Sequence, residues 1–389
     1  MSKNSKRLQG GLRQYGILGA LLIIVVLFYF LTGGKLLAPN NVASLIQQNA
    51  YVMVLTIGMT MVIIARHIDL SVGSVVAFVG GVVGLLMYSA QLPWPLACLA
   101  GLLLGALIGC WQGFWVAYVG VPAFIVTLGG MLLFRGLAIV LVERTVSGLP
   151  AGFVAITNGS LPNFLGYVGY MDVVSLVVGA LAIVGVVWSA LRSRHADIRE
   201  GAAVEPWTSF VVKNAIIGVA IAFLSYLLAM SSGGMPIILI IIGVLVVVYS
   251  FVMDKTKFGR HIYAVGGNLR AAQLSGINTR RVDFLVFVNM GVLAALAGIV
   301  TTSRAGAAVA TAGNAYELDA IAAAFIGGTA VSGGVGRIGG AIIGALIMGV
   351  LNMGLSILSV DSAWQQAIKG LVVVLAVAVD LITSKRNAR

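Results

Sequence analysis

Three histidines, two cysteines and twelve acidic residues are the groups in this 389-residue chain most able to do chemistry. His67, His195 and His261 stand far apart, each beside an arginine, and no H-E-x-x-H or C-x-x-C spacing offers a metal its ligands. Cys98 and Cys110 share one apolar run. Twelve residues of helix place them about 18 Å apart, beyond the roughly 7 Å that a disulfide bridges, so both read as packing residues. No G-x-x-x-x-G-K-[ST] loop is present to cradle phosphates. Ser332-Gly333-Gly334 suggests a nucleophile turn, but a buried serine needs a histidine base, and none lies within an apolar run. The chain reads as a non-enzyme without cofactor or metal.

The acids point the same way. Carriers driven by protons or sodium place carboxylates well inside membrane spans. Here Asp254, Asp283 and Asp380 fall at one set of span ends, Asp172, Asp361, Glu143 and Glu317 at the other, and Asp197, Glu200 and Glu205 in a loop. Asp69 and Asp319 remain, both at predicted helix starts, where capping accounts for a carboxylate. Arg135, Lys213 and Lys369 fall within spans. For Arg135 and Lys369, snorkelling or a bond to an acid or a carbonyl explains the charge better than a substrate role.

Composition sets the elements that carry these residues. Hydrophobic residues make up 60% and charged residues 9%, against about 25% charged in a soluble domain. No ordinary water-facing surface can be built from that, and disorder is excluded by the same numbers. Apolar runs fall near 15–32, 50–65, 72–89, 95–118, 122–142, 171–191, 209–229, 236–253, 284–303, 319–335, 338–358 and 363–382. The prediction is an all-α polytopic membrane protein of about 12 transmembrane helices (10 to 12). The stretches 66–72 and 319–340 are interrupted by glycine and read as half-helices or re-entrant turns.

Charge then sets orientation. With a basic arm at 1–14 in the cytoplasm, Lys3, Lys6, Arg7, Arg13, Arg66, Arg192, Arg194 and Arg199 fall inside. So do Lys255, Lys257, Arg260, Arg270, Arg280, Arg281, Arg337, Lys385, Arg386 and Arg389, whereas only Lys35, Arg144 and Arg304 fall outside. Both termini are therefore expected in the cytoplasm. The net charge of +12 is positive-inside charge, and no nucleic-acid partner is implied. The apolar start lacks a small-x-small cleavage site and reads as an uncleaved first helix. One membrane domain, 15–383, ends in a tail at 384–389, and its longest polar stretches are 143–170 outside and 254–283 inside.

Residues 259–283, GRHIYAVGGNLRAAQLSGINTRRVD, are the most informative stretch. Asn268 predicts a helix N-cap, Leu269 to Ser275 a helix and Gly276 its stop. Gly266 and Gly267 permit a sharp turn leading in. Two helical turns cannot stand alone in water, and Leu269, Ala272 and Leu274 form too small a face for lipid anchoring. Docking on another protein is the expectation.

The stretch GRHIYAVGGNLRAAQLSGIN resembles the cytoplasmic coupling segment of permease subunits of bacterial ATP-binding-cassette importers for ribose, xylose and related sugars. GMTMVIIARHIDLSVGSVVAF at 58–78, VPAFIVTLGGMLLFRGLAI at 121–139 and ELDAIAAAFIGGTAVSGGVGRIGGAIIGALIMG at 317–349 are similar to further motifs of that family. The four lie in order over nearly the whole chain. An extension of about two spans near 171–229 looks like the D-xylose and multiple-monosaccharide branch. Arg66-His67 departs from the pattern, which expects small or uncharged residues there.

The resemblance implies a multi-pass subunit of the bacterial inner membrane, acting as a homodimer. Two ATPase domains from another polypeptide would dock on 259–283, and a periplasmic binding protein would deliver the sugar. Gly266, Gly267, Asn268, Ala271, Ala272, Ser275 and Gly276 match the coupling motif, with Arg260 and Arg270 available for acidic partners. Asp69-Leu70-Ser71 and Asp319 each precede a small-residue helix ending in Gly-Gly. That suggests an internal repeat with the path at its interface, with chance likeness in Ala- and Gly-rich sequence as the alternative. A neutral sugar needs hydroxyl-bonding groups and an aromatic face. Asn49, Thr56, Thr60, Ser74, Phe78 and Thr127 are candidates beside Asp69, Ser71 and Asp319. The rival readings are a stand-alone secondary sugar carrier and a same-family permease for a sugar-like signalling molecule.

Overall fold

In lipid every backbone amide must find its partner within the protein, and this chain meets that demand with helices. A computed structural model describes residues 3–199, 201 and 204–388, with side-chain surroundings given from residue 16 to 375 outside that gap, and at 378. The side chains of Lys3, Lys6, Arg7, Arg13, Glu200, Asp380, Lys385, Arg386 and Arg389 lie outside the described residues.

Helix α1 (Lys3–Leu31) is followed by α2 (Pro39–Gln48), which bends by 44° at Asn49 into α3 (Ala50–Ile64). A break at 65–71 leads to α4 (Val72–Tyr88). Proline opens both α5 (Trp94–Phe114) and α6 (Ala123–Leu141), where its missing N–H costs nothing. Short α7 (Ala151–Asn158) precedes a helical pair, α8 (Val173–Arg199) and α9 (Trp207–Ala229). Then come α10 (Ile237–Lys255), α11 (Lys257–Gly267), α12 (Leu269–Leu274) and α13 (Thr279–Ala305). The chain finishes with α14 (Tyr316–Ile326), α15 (Ile338–Ile357) and α16 (Ser362–Ala388). Among the described residues the only strands form two-residue antiparallel pairs, 146–147 with 307–308 and 167–168 with 171–172. Among the described residues seven helices are long and apolar enough to cross a bilayer, or eight if the bent pair counts as one span. The protein is an all-α membrane protein.

One expected span is shorter than its apolar run. The stretch 319–335 holds only α14, eleven residues and about 16 Å long at 1.5 Å per residue. A turn from Gly327 to Arg337 follows, in which Gly328, Gly333 and Gly334 adopt φ of 87°, 78° and 72°. The half-helix reading of this stretch is the one the backbone follows.

Helix α13 sits at the centre, against α3, α4, α5 and α7. Apolar burial cannot pull helices together when the solvent is itself apolar, so close backbone approach has to do it. Gly101, Gly105, Gly109 and Gly113 repeat every fourth residue along α5. A Cβ on Gly109 would lie 2.5 Å from the Phe287 carbonyl oxygen, and one on Gly113 would lie 2.9 Å from that of Phe284. Gly291 returns the approach from α13, against the Gly105 carbonyl. Cys98 and Cys110 are free and half-buried, as packing residues.

Candidate functional site

Helix α12 forms where the local sequence asks for it. Asn268 is extended (φ −155°, ψ 103°), and its side-chain oxygen accepts the Ala271 N–H at 3.0 Å. Ser275 Oγ donates to the Ala271 carbonyl at 2.9 Å, and Gly276 ends the helix at φ 79°. Ala272 is 3% exposed and packs inward, while Leu274 is 91% exposed. The three-residue apolar face therefore splits. Leu274 faces out, and Leu269, Arg270, Ala271, Ser275 and Arg260 are exposed as well.

Gly266 and Gly267 do not make the expected turn. They are the last residues of α11, and the chain breaks at Asn268. Glycine is needed at 266 for contact. A Cβ there would collide with the Ile64 carbonyl oxygen and lie 2.7 Å from the Gly334 nitrogen. The Gly334 N–H in turn donates to that Ile64 carbonyl at 2.9 Å.

Arg66 completes this junction. With φ at 70°, it turns its side chain across both neighbours. Nε donates to the Ser332 carbonyl at 3.0 Å and Nη2 to the Gly267 carbonyl at 2.8 Å. Tyr263 of α11 donates to the Gly336 carbonyl at 2.8 Å. Burial, reinforced by the Asp254 charge, pushes the Tyr263 hydroxyl up to about 12, so it stays a donor. The end of α3, the end of α11 and the turn before α15 are thus joined through backbone. Segments that the charge pattern assigns to the cytoplasm meet here. His67 Nε2 lies 3.2 Å from Asp283 Oδ1 on α13, close enough for an ion pair but off hydrogen-bond alignment.

The residues proposed for the path divide into two groups. Asp69, 1% exposed, accepts from Ser71 N–H at 2.8 Å and Ser71 Oγ at 2.6 Å. Gln112 of α5 donates to Ser71 Oγ at 2.6 Å, and Thr127 of α6 reaches the Ile68 carbonyl at 3.3 Å. Ser74 is buried on the next turn, and Phe78 packs on Phe134 at 5.9 Å. Gly73, on the first turn of α4, lies against the Gly313 carbonyl and the Glu317 carboxylate, so the starts of α4 and α14 meet. The second group is satisfied within or beside α3. Thr56 and Thr60 donate to the carbonyls of Val52 and Thr56, one turn back. Asn49 donates to the Leu45 carbonyl and accepts from Asn352 at 3.0 Å.

Neither Asp69 nor Asp319 caps a helix as expected. The N-cap positions of α4 and α14 are Ser71 and Ala315, which make no side-chain cap bond. Asp319, 4% exposed, instead accepts from Lys369 Nζ at 3.0 Å and from the Tyr51 hydroxyl at 2.8 Å. Buried charge survives in apolar surroundings only when paired and hydrogen-bonded, and Lys369 and Tyr51 supply both. Tyr51 stacks on Tyr316 with ring centroids 3.5 Å apart and planes at 15°. Beside the stack is a cavity of about 360 Å³, lined by Gln47, Gln48, Val300, Thr301, Arg304 and Ala305 together with the two rings. Gln112, Tyr51 and Tyr316 escaped the sequence reading. The signal available for the tyrosines is their place at helix starts within otherwise aliphatic runs.

Comparison with known proteins accounts for this architecture. Residues 41–377 match the family described as "Branched-chain amino acid transport system / permease component". The chain belongs to this permease family. The permease is 39% identical over 377 residues to the xylose transport system permease protein of Escherichia coli (strain K12), covering 97% of this chain and 93% of that one. It is 38% identical to the corresponding protein of Haemophilus influenzae, covering 96% and 98%. It is also 35% identical to the ribose import permease protein of E. coli K12, covering 93% and 91%. No solved structure matches the permease. As a permease component it is a transport subunit and no enzyme, in keeping with the sequence reading. Arg135 and Lys369 make structural bonds: Lys369 pairs with Asp319, and Arg135 Nη1 donates to the carbonyls of Ala310 and Ala312 at 3.0 and 2.7 Å.

Proposed function

We propose that this permease is the membrane subunit of an ATP-driven importer for a neutral monosaccharide, D-xylose first among pentoses and hexoses. The observation that carries the reading is full-length similarity to permeases named for xylose and ribose. The matched family description names branched-chain amino acids instead. A zwitterion needs an acid for its ammonium group, and Asp319, the buried acid beside the tyrosine pair, is already neutralised by Lys369. The pairing of Asp319 with Lys369 likewise removes one acid that a secondary carrier would have to protonate or ligate in each cycle.

In this reading the ATPase subunit docks on the loop 254–283, with Leu274, Arg260 and Arg270 facing it. Gly266, Gly267, Asn268, Ala271, Ala272, Ser275 and Gly276 build and place the docked helix. A periplasmic binding protein feeds sugar from the opposite side. Two copies of the permease enclose the pore in the bacterial inner membrane, each a single membrane domain at 15–383 with about twelve spans and both termini cytoplasmic. Arg66 replaces the small or uncharged residue expected at its position and passes motion from α11 to the α3–α4 break.

The deciding experiment is a mild-detergent pulldown from native cells, followed by uptake in vesicles. A stoichiometric ATPase, lost when 266–276 is replaced, together with ATP-dependent D-xylose uptake, is the expected result. Sugar uptake without any ATPase would overturn it.

A further inference from the structure

The cavity beside the Tyr51–Tyr316 stack belongs to neither the coupling junction nor the group around Asp69. Its volume of about 360 Å³ sits at the small end of the roughly 300–1,000 Å³ range of small-molecule sites. One wall is aromatic, and the stacked rings are fixed from behind by the Tyr51 bond to Asp319. The other walls carry hydrogen-bonding groups. Gln48 is exposed and makes no side-chain hydrogen bond among the described residues. Thr301 Oγ1 is buried beside the Tyr316 hydroxyl, and Arg304 Nε is a buried atom that lacks a partner among the described residues. A buried polar group left without a partner is costly, so a site that leaves one needs a compensating role. Among the described residues no acid lines the cavity. An aromatic face with neutral amide and hydroxyl groups suits a polyhydroxylated ring.

We propose that this cavity is a low-affinity station that binds a monosaccharide through Gln48, Thr301 and Arg304 against the tyrosine wall. The inference rests on the monosaccharide function proposed above and adds the place where the chain itself holds the sugar. Arg304 is one of the three cations that the charge pattern assigns to the outer side. The station therefore stands where sugar leaves the binding protein, opposite the ATPase junction. It catches the released sugar and shifts the balance from recapture toward passage.

The test uses the complete importer, permease with its ATPase and binding protein, in vesicles with D-xylose as the probe. Thr301→Val and Gln48→Leu each remove one polar group at nearly constant size. Each is expected to lower the sugar moved per ATP hydrolysed by about fivefold, the effect of one neutral hydrogen bond. ATP hydrolysis stimulated by the binding protein stays at the wild-type rate. Unchanged sugar per ATP in both variants would overturn the station while leaving the importer reading intact. Equal loss of uptake and hydrolysis would also overturn it, by reducing both side chains to structural roles. Gln48→Cys supplies a readout independent of turnover: D-xylose should slow its alkylation, and L-leucine should not. Protection by L-leucine alone would retire the station. Failure of the wild-type importer to take up any monosaccharide would retire the function on which it depends.

Discussion

Arg66 carries the most consequence for its size. It holds two carbonyls from segments far apart in sequence, on α11 and on the turn before α15, and its loss leaves the exposed face of α12 untouched. Arg66→Ala is expected to co-purify with the ATPase as the wild type does while losing at least tenfold in sugar uptake, about 1.4 kcal/mol of coupling. Uptake at wild-type level would remove Arg66 from the coupling route. Lys369 makes a different prediction. Removing it strands a carboxylate that is almost fully buried, and breaking one side of such a pair costs about 3–5 kcal/mol. Lys369→Met should lower the thermal midpoint in detergent sharply, and adding Asp319→Asn should restore most of it.

At the scale of elements, α12 was legible because every signal for it is local. Asn268 and Gly276 mark its ends by their own backbone preferences. Asn268→Ala is expected to weaken the helix by about 1 kcal/mol and to reduce the ATPase recovered in a pulldown, with permease yield unchanged. The true length of α14 was not legible in the same way. Glycines marked an interruption between 319 and 340, but the exact stop at Ile326 is set by a turn that must reach Ile64 and Arg66. Gly266 shows the limit most clearly: the oxygen that forbids a side chain belongs to a residue some two hundred positions earlier. The tyrosine wall is hidden likewise, since Tyr51 and Tyr316 meet only once α3 and α14 have packed. The seam between α5 and α13 was readable as a habit of small residues, though not as a pairing. Gly109→Val there should cost at least the 1–3 kcal/mol of an overpacked core, measured as a lower midpoint of unfolding in detergent.

Across the whole molecule, charge asymmetry and three-dimensional contact agree on which segments share a side. Arg66, Gly267, Ser332 and Gly336 gather at one junction, while Arg304 donates to Asn158 at 2.9 Å at the far end of α13. Single cysteines at Gln48 and Leu274, in a chain with Cys98 and Cys110 replaced by serine, test this directly. A membrane-impermeant maleimide applied to intact cells with a permeable outer membrane should label position 48 and spare 274. Inverted vesicles should reverse that pattern.

The central place of α13 also has a consequence for how the chain is made. Its glycine-lined partner α5 leaves the ribosome far earlier, and at about 5–20 residues per second the wait for α13 is roughly 10–30 s. During that interval the bare backbone groove of α5 faces lipid or a chaperone-like insertase, and α3 and α4 lack the helix they are built around. A nascent chain arrested before Thr279 is therefore an unfinished bundle with an open seam, a natural target for membrane quality-control proteases.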